Sequence, residues 1–323
     1  MKYLKKIIVG LVLLELLNLV VGFVSNGVDA VLPITGFNDP PLYYDMENSY
    51  GVTRQKNTKQ IVNYSWGGIL YHTNSLGFRD QEFTDDGTLI TGNSFVEGFG
   101  VDAEDRFSEV LEKNNNITIN NAGSGGVWTP IQSVVLLREL LKNKKMNFSR
   151  NVIILTPGEV VNIDKRSPDN DKERNYPYRK GDTIVFHKAA YSSFTGKLSL
   201  KDKVKRFSKS LLISKIYTTF KYYGTAKVKT KVVDFDKSKL DWLIDQIDKE
   251  NFDTVIDIIV INNLGRIQVN RIEEYTNTSS RINFKVINFP DELSNYFVAN
   301  GHLNAKGNRV LANLLTPILL ESK

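Results

Sequence analysis

Residues 91–100 read T-G-N-S-F-V-E-G-F-G, and the chain on either side of them decides the fold. Ahead of them, Thr88-Leu89-Ile90 is a short apolar run suited to a buried parallel strand. Behind them, Asp102 is placed to cap a helix that presents Phe107, Val110 and Leu111 on one face. Ser94 therefore falls on a glycine-flanked turn between the carboxyl end of a strand and a helix. Open α/β sheets place their binding crevices at such ends. Gly92 permits a tight bend, and Gly98 and Gly100 keep bulk away from Ser94. A turn of this kind is also a common plain connection, so spacing alone assigns it no chemistry.

Working outward, apolar runs at 87–91, 117–121, 152–157, 254–262 and 283–289 read as strands. Helical patterns lie between them. Thr129-Pro130 supplies a cap followed by proline in the first turn, and Ile131, Val134, Val135 and Leu141 then keep a helical period. Leu240, Leu243, Ile244 and Ile247 repeat that period, as do Val310, Leu311, Leu314 and Leu315. The alternation predicts an α/β fold, a three-layer α/β/α sandwich around a mostly parallel five-stranded sheet. The main domain is expected over 87–323, with residues 31–86 wrapped around it. That wrapping segment is rich in Asn, Asp, Gly and Pro and includes the aromatic runs Leu42-Tyr43-Tyr44 and Ile69-Leu70-Tyr71. In it, His72 reads as structural.

Residues 163–237 break the rhythm and read as an insertion. Its second part, 201–223, sets Val204, Phe207, Leu211, Leu212, Ile216 and Phe220 near one helical face, behind a basic cluster of Lys201, Lys203, Lys205, Arg206 and Lys209. Two readings stay open: a helix packed on the domain with a solvated basic rim, or one lying on a membrane surface or a glycan cleft.

At the amino terminus, Lys2, Lys5 and Lys6 precede Ile7–Val24, which is apolar apart from Glu15, Asn18 and two glycines. As a helix this run spans about 27 Å, near the lower limit for crossing a bilayer. The lysines favour a cytoplasmic start and an exported remainder. Residues 1–30 are thus expected to be a hydrophobic helix that anchors the chain in a membrane, or a signal peptide cut near Val28-Asp29-Ala30. Glu15 is discordant, because a carboxylate in hydrocarbon is costly unless protonated or paired.

Composition narrows the chemistry. The 323 residues, 41% hydrophobic and 24% charged, are those of a globular protein. There is no cysteine, which excludes thiolate metal sites, a cysteine nucleophile and disulfides. The three histidines, His72, His187 and His302, are too few for a histidine-rich metal centre, and neither metal nor cofactor is expected. The net charge of +6 suits solubility or attraction to an acidic surface, and no nucleic-acid motif stands out.

Four separated pieces can converge at the carboxyl edge of such a sheet: Ser94; Asn121-Ala122-Gly123-Ser124-Gly125-Gly126; Gly158-Glu159-Val160-Val161-Asn162; and Asn300-Gly301-His302-Leu303-Asn304-Ala305-Lys306-Gly307. Together they resemble the SGNH, or GDSL-type, hydrolases, a family of serine esterases and acyl-transfer enzymes with a flavodoxin-like fold. Gly92-Asn93-Ser94 stands where that family has G-D-S. Gly126, five residues beyond Asn121, is similar to its second block, and Asn162 is the best match to its third. His302 matches the last, in the family's esterase-type order with histidine after serine. Thr73-Asn74-Ser75-Leu76-Gly77-Phe78-Arg79 resembles a segment that precedes the nucleophile in many exported members.

The resemblance implies that His302 takes the proton of Ser94, whose alkoxide attacks an ester carbonyl. It implies an oxyanion hole of the Ser94 and Gly126 N–H groups and the Asn162 amide. Two positions depart from the family. Asn93 replaces the aspartate of G-D-S, and Ala299 stands three before His302, where the family has the acid that orients the imidazole. Asn300 is then the candidate orienter, with Asp291 or Glu292 as alternatives from the preceding loop. The implied substrate is an acylated cell-surface or cell-wall glycan or another small ester, with water or a sugar hydroxyl as acceptor. The alternative is a catalytically degenerate member that binds glycan or serves as a scaffold.

Overall fold

The computed structural model describes residues 2–26, 44–45, 48–64, 67–125, 128–164, 167, 175–188, 204, 207–208, 211–212, 216, 231–297 and 301–321. The protein is α/β, and its centre is a sheet of five parallel strands. The segment before it contributes helix α1 (Lys2–Asn26) and the antiparallel hairpin β1 (Lys59–Tyr64) and β2 (Gly67–His72). The sheet strands are β3 (Thr88–Gly92), β4 (Ile119–Gly123), β5 (Arg150–Leu155), β9 (Ile256–Asn262) and β11 (Ile282–Asn288). Hydrogen bonding sets them in the order β11-β9-β5-β3-β4, every neighbouring pair parallel. Each lies within about two residues of its expected apolar run.

The order by sequence, second-first-third-fourth-fifth, is that of flavodoxin-like sheets. Connections run to one side of β3 and then to the other, which makes the carboxyl ends of β3 and β5 the topological switch point of the sheet. Ser94 follows β3 directly.

The strands are apolar on both faces because helices cover both. On one face Leu89, Ile153, Leu155, Ile258 and Val260 meet Ile131 and Val134 of α4 (Pro130–Leu137) and Leu240, Leu243 and Ile247 of α6 (Lys237–Glu250). On the other, Ile90, Val152, Ile154, Ile259 and Ile261 meet Phe107 and Leu111 of α3 (Phe107–Asn115) and Leu311 and Leu315 of α7 (Ala305–Leu320). Adjacent strand residues thus enter different cores, as the two-residue period of a strand requires. Thr129 and Gln132 form the box that starts α4, with Pro130 at its first turn.

Two expectations need correction. Asp102 caps no helix with its side chain; it precedes a 3₁₀ turn, Ala103–Asp105, and α3 begins only at Phe107. The Phe107 N–H finds its partner far along the chain, in Asn308 Oδ1 at 3.2 Å, so no local cap is needed. The insertion also contains a hairpin that periodicity did not foresee, β6 (Tyr176–Lys180) and β7 (Thr183–His187), with Tyr176 fully buried. A further strand, β8 (Lys231–Asp234), pairs in parallel with β10 (Ile267–Asn270). Of the expected helix 201–223, Val204, Phe207, Leu211, Leu212 and Ile216 are described, and Phe220 and the basic cluster lie outside the described residues.

Along α1, Ile7, Leu13 and Leu17 are more than half exposed. The Glu15 carboxylate accepts the Leu212 N–H at 2.7 Å. Among the described residues, no helix is long and apolar enough to cross a membrane.

Candidate active site

Ser94 is the first residue of α2 (Ser94–Glu97), a single turn of helix entered straight from β3. Asn93 is its N-cap: the backbone there is extended and the side chain accepts the Phe95 N–H at 3.0 Å. The turn ends at Gly98, whose φ of 71° is left-handed and suits glycine. Glycine is needed at Gly123 for a different reason. A Cβ there would lie 2.2 Å from the Glu97 nitrogen, because β4 passes directly under the turn. As the first helical residue, Ser94 carries one of the N–H groups without an intrahelical partner.

His302 arrives from the other end of the chain, on the reversal before α7. Phe297 N–H donates to the His302 carbonyl at 2.8 Å, Gly301 N–H donates to Phe297, and Asn304 caps α7 through the Gly307 N–H. These bonds set the imidazole over the carboxyl edge of the sheet. Ser94 Oγ and His302 Nε2 lie 2.8 Å apart, across 208 positions of sequence. Both residues are partly exposed, so the pair is open to a ligand. The imidazole stacks on Phe95 at 5.1 Å between ring centroids and lies tilted on Phe99 at 4.5 Å. Two rings thereby fix its plane.

The segment before the sheet clamps this turn from outside. Arg79, the last residue of the T-N-S-L-G-F-R run, donates to the carbonyls of Gly98 and Val101, each at 2.7 Å. Arg54 donates to Glu97 at 2.5 Å in a pair only 4% and 1% exposed. Both guanidinium groups lie over the Tyr71 ring, Arg54 at 4.2 Å and Arg79 at 3.8 Å from its centroid, and the Tyr71 hydroxyl accepts the Gly100 N–H. Burial lowers the proton affinity of Arg79, against support from Tyr71. None of these long-range pairs leaves a local pattern in the sequence.

Asn121 organises the strand end: its amide donates to Val96 O and Ser108 Oγ and accepts the Gly123 N–H. Asn162 ends α5 (Pro157–Val161) and donates to its Gly158 carbonyl at 2.9 Å, which engages one of its two amide hydrogens. Glu292 is exposed, and its carboxylate accepts from Lys306 Nζ at 3.0 Å. Gly126, Ala299 and Asn300 lie outside the described residues. Among the described residues no group of His, Asp or Glu is arranged to hold a metal ion.

Glu159 was missed. It is 8% exposed, and Oε2 accepts both the N–H and the hydroxyl of Thr156, at 2.8 and 2.9 Å. Thr156-Pro157-Gly158-Glu159 is the S/T-x-x-E pattern of a helix start, a signal that could have found it. Burial pushes its carboxyl up to about 7, against the two Thr156 bonds. The folded protein therefore holds a proton that the unfolded chain, titrating near 4.5, releases. This contribution to stability is full below about 4.5 and is lost as pH rises through about 7. Glu159→Gln is expected to raise the melting temperature at pH 8, by a stabilisation on the order of 3 kcal/mol, and to leave it unchanged at pH 4.5. Melts at both pH values check this, and equal shifts at both would contradict it.

The fold and site define an α/β protein with a serine–histidine pair at the switch point of a parallel sheet. No family model matches the chain, and no curated protein matches it.

Proposed function

We propose that this chain is a serine esterase or O-acyltransferase of the SGNH type, acting on acyl esters of a cell-surface or cell-wall glycan. The single observation behind the reading is the 2.8 Å contact between Ser94 Oγ and His302 Nε2 at the sheet's carboxyl edge. A serine hydroxyl is a poor nucleophile without a base, and an imidazole at hydrogen-bond distance supplies one. His302 takes the hydroxyl proton as Ser94 Oγ bonds to the ester carbonyl carbon. The oxyanion is held by the Ser94 N–H, with Gly126 and Asn162 as the further donors implied by the family. Collapse of the intermediate breaks the ester C–O bond, and His302 returns its proton to the leaving alcohol. Water, or a sugar hydroxyl, then attacks the acyl-serine by the same route in reverse. Asn300 orients the imidazole in this scheme.

The full chain is expected to hydrolyse p-nitrophenyl acetate, with release of p-nitrophenolate followed spectroscopically. A folded sample that binds acylated glycan without turnover would favour the scaffold alternative. Exported placement, read from the lysines ahead of the apolar α1, belongs to the same proposal. Protease added to intact cells should then remove the domain; digestion only after lysis would contradict export.

A further inference from the structure

The position of Ser94 follows from Asn93, and Asn93 is held from outside the turn. Its side chain accepts the Phe95 N–H at 3.0 Å, which only the amide oxygen can do. The amide nitrogen must then face Thr156 Oγ1, 3.1 Å away, and donate to it. The Thr156 hydroxyl, having accepted that hydrogen, donates its own to Glu159 Oε2 at 2.9 Å. The result is a one-way chain of donors from Phe95 N–H through Asn93 and Thr156 to Glu159. The other carboxyl oxygen, Glu159 Oε1, is buried and has no hydrogen-bond partner among the described residues. An unsatisfied buried carboxyl oxygen is costly to keep, and this one terminates a chain that begins at the nucleophile turn.

We propose that Glu159 is a positioning residue for Ser94, acting through Thr156 and Asn93, and that it is the reason asparagine rather than aspartate precedes the serine. The assignment rests on the Ser94–His302 reading above. An aspartate at position 93 would offer only acceptors. Thr156 has a single hydroxyl hydrogen, so the introduced carboxylate and Glu159 would compete for it, and two carboxylates would flank one hydroxyl. Asparagine supplies the missing hydrogen.

Ionised Glu159 draws on the chain harder than its neutral form, because hydrogen bonds to a charged acceptor are stronger and polarise the next bond along. The turn is thus firmest once Glu159 has lost its proton, near pH 7. Among the described side chains, the elements packed on α5 carry Asp257, which is bonded to Arg150 and Asn283. The proton affinity of Glu159 is set by burial and by Thr156.

The test compares wild type, Asn93→Asp, Glu159→Gln and the double variant in the full chain with p-nitrophenyl acetate. Asn93→Asp, although it restores the family's G-D-S, is expected to lower kcat about tenfold at pH 8. Adding Glu159→Gln should recover most of that loss, since the hydroxyl is then freed from an anion. The ratio of wild-type to Glu159→Gln kcat should fall as pH drops through about 7. Difference infrared spectra should show a protonated-carboxyl band that grows over the same pH range and is missing in Glu159→Gln, whether or not the enzyme turns over. Asn93→Asp as active as wild type, additive losses in the double variant, or a flat ratio would each overturn the assignment while leaving the Ser94–His302 reading intact. An inactive wild type would overturn both.

Discussion

Ser94→Ala is expected to lower turnover of p-nitrophenyl acetate by roughly 10⁴-fold or more, with the fold unchanged. The loss is chemical, because the substitution removes only the attacking oxygen. Ser94 is partly exposed, so no core cavity opens. Asn93 still caps α2 through the Phe95 N–H, and alanine favours helix. A matching thermal melt beside the lost rate distinguishes chemistry from misfolding. Retained turnover would place the reaction elsewhere.

His302→Ala is expected to cost as much, and the Ser94→Ala/His302→Ala double variant no more than either alone. Groups that act as one unit in the transition state give such non-additive losses. Here the unit is the 2.8 Å contact, in which the imidazole stands as acceptor of the serine proton. Loss of the ring contacts with Phe95 and Phe99 should lower stability by about 1 kcal/mol, a separate effect visible in melts. Steady-state rates for the three variants check the prediction. Additive losses, or unchanged hydrolysis in His302→Ala, would remove the imidazole from the mechanism.

The middle of the sheet was legible in the sequence because β5 and β9 are buried on both faces and carry mostly apolar residues. Ser94 and His302 were legible because glycine turns and an asparagine cap mark the ends of elements. What escaped was set by contacts between distant residues. Arg54 meets Glu97, Phe107 meets Asn308, and Asn93 meets Thr156 only after folding. The hairpin Tyr176–His187 escaped for a related reason: one of its strands carries Tyr-Pro-Tyr-Arg-Lys, with no apolar alternation to mark it. Asn162 is the best match to the family's third block by resemblance, and its bond to the Gly158 carbonyl leaves its second amide hydrogen for another acceptor.

Peptide mass mapping after treatment of the full chain with a fluorophosphonate tests the central claim most directly. A single adduct on the peptide bearing Ser94, absent in Ser94→Ala and greatly slowed in His302→Ala, is the predicted result. A folded chain that takes up no label, or takes it up at another serine, would contradict it.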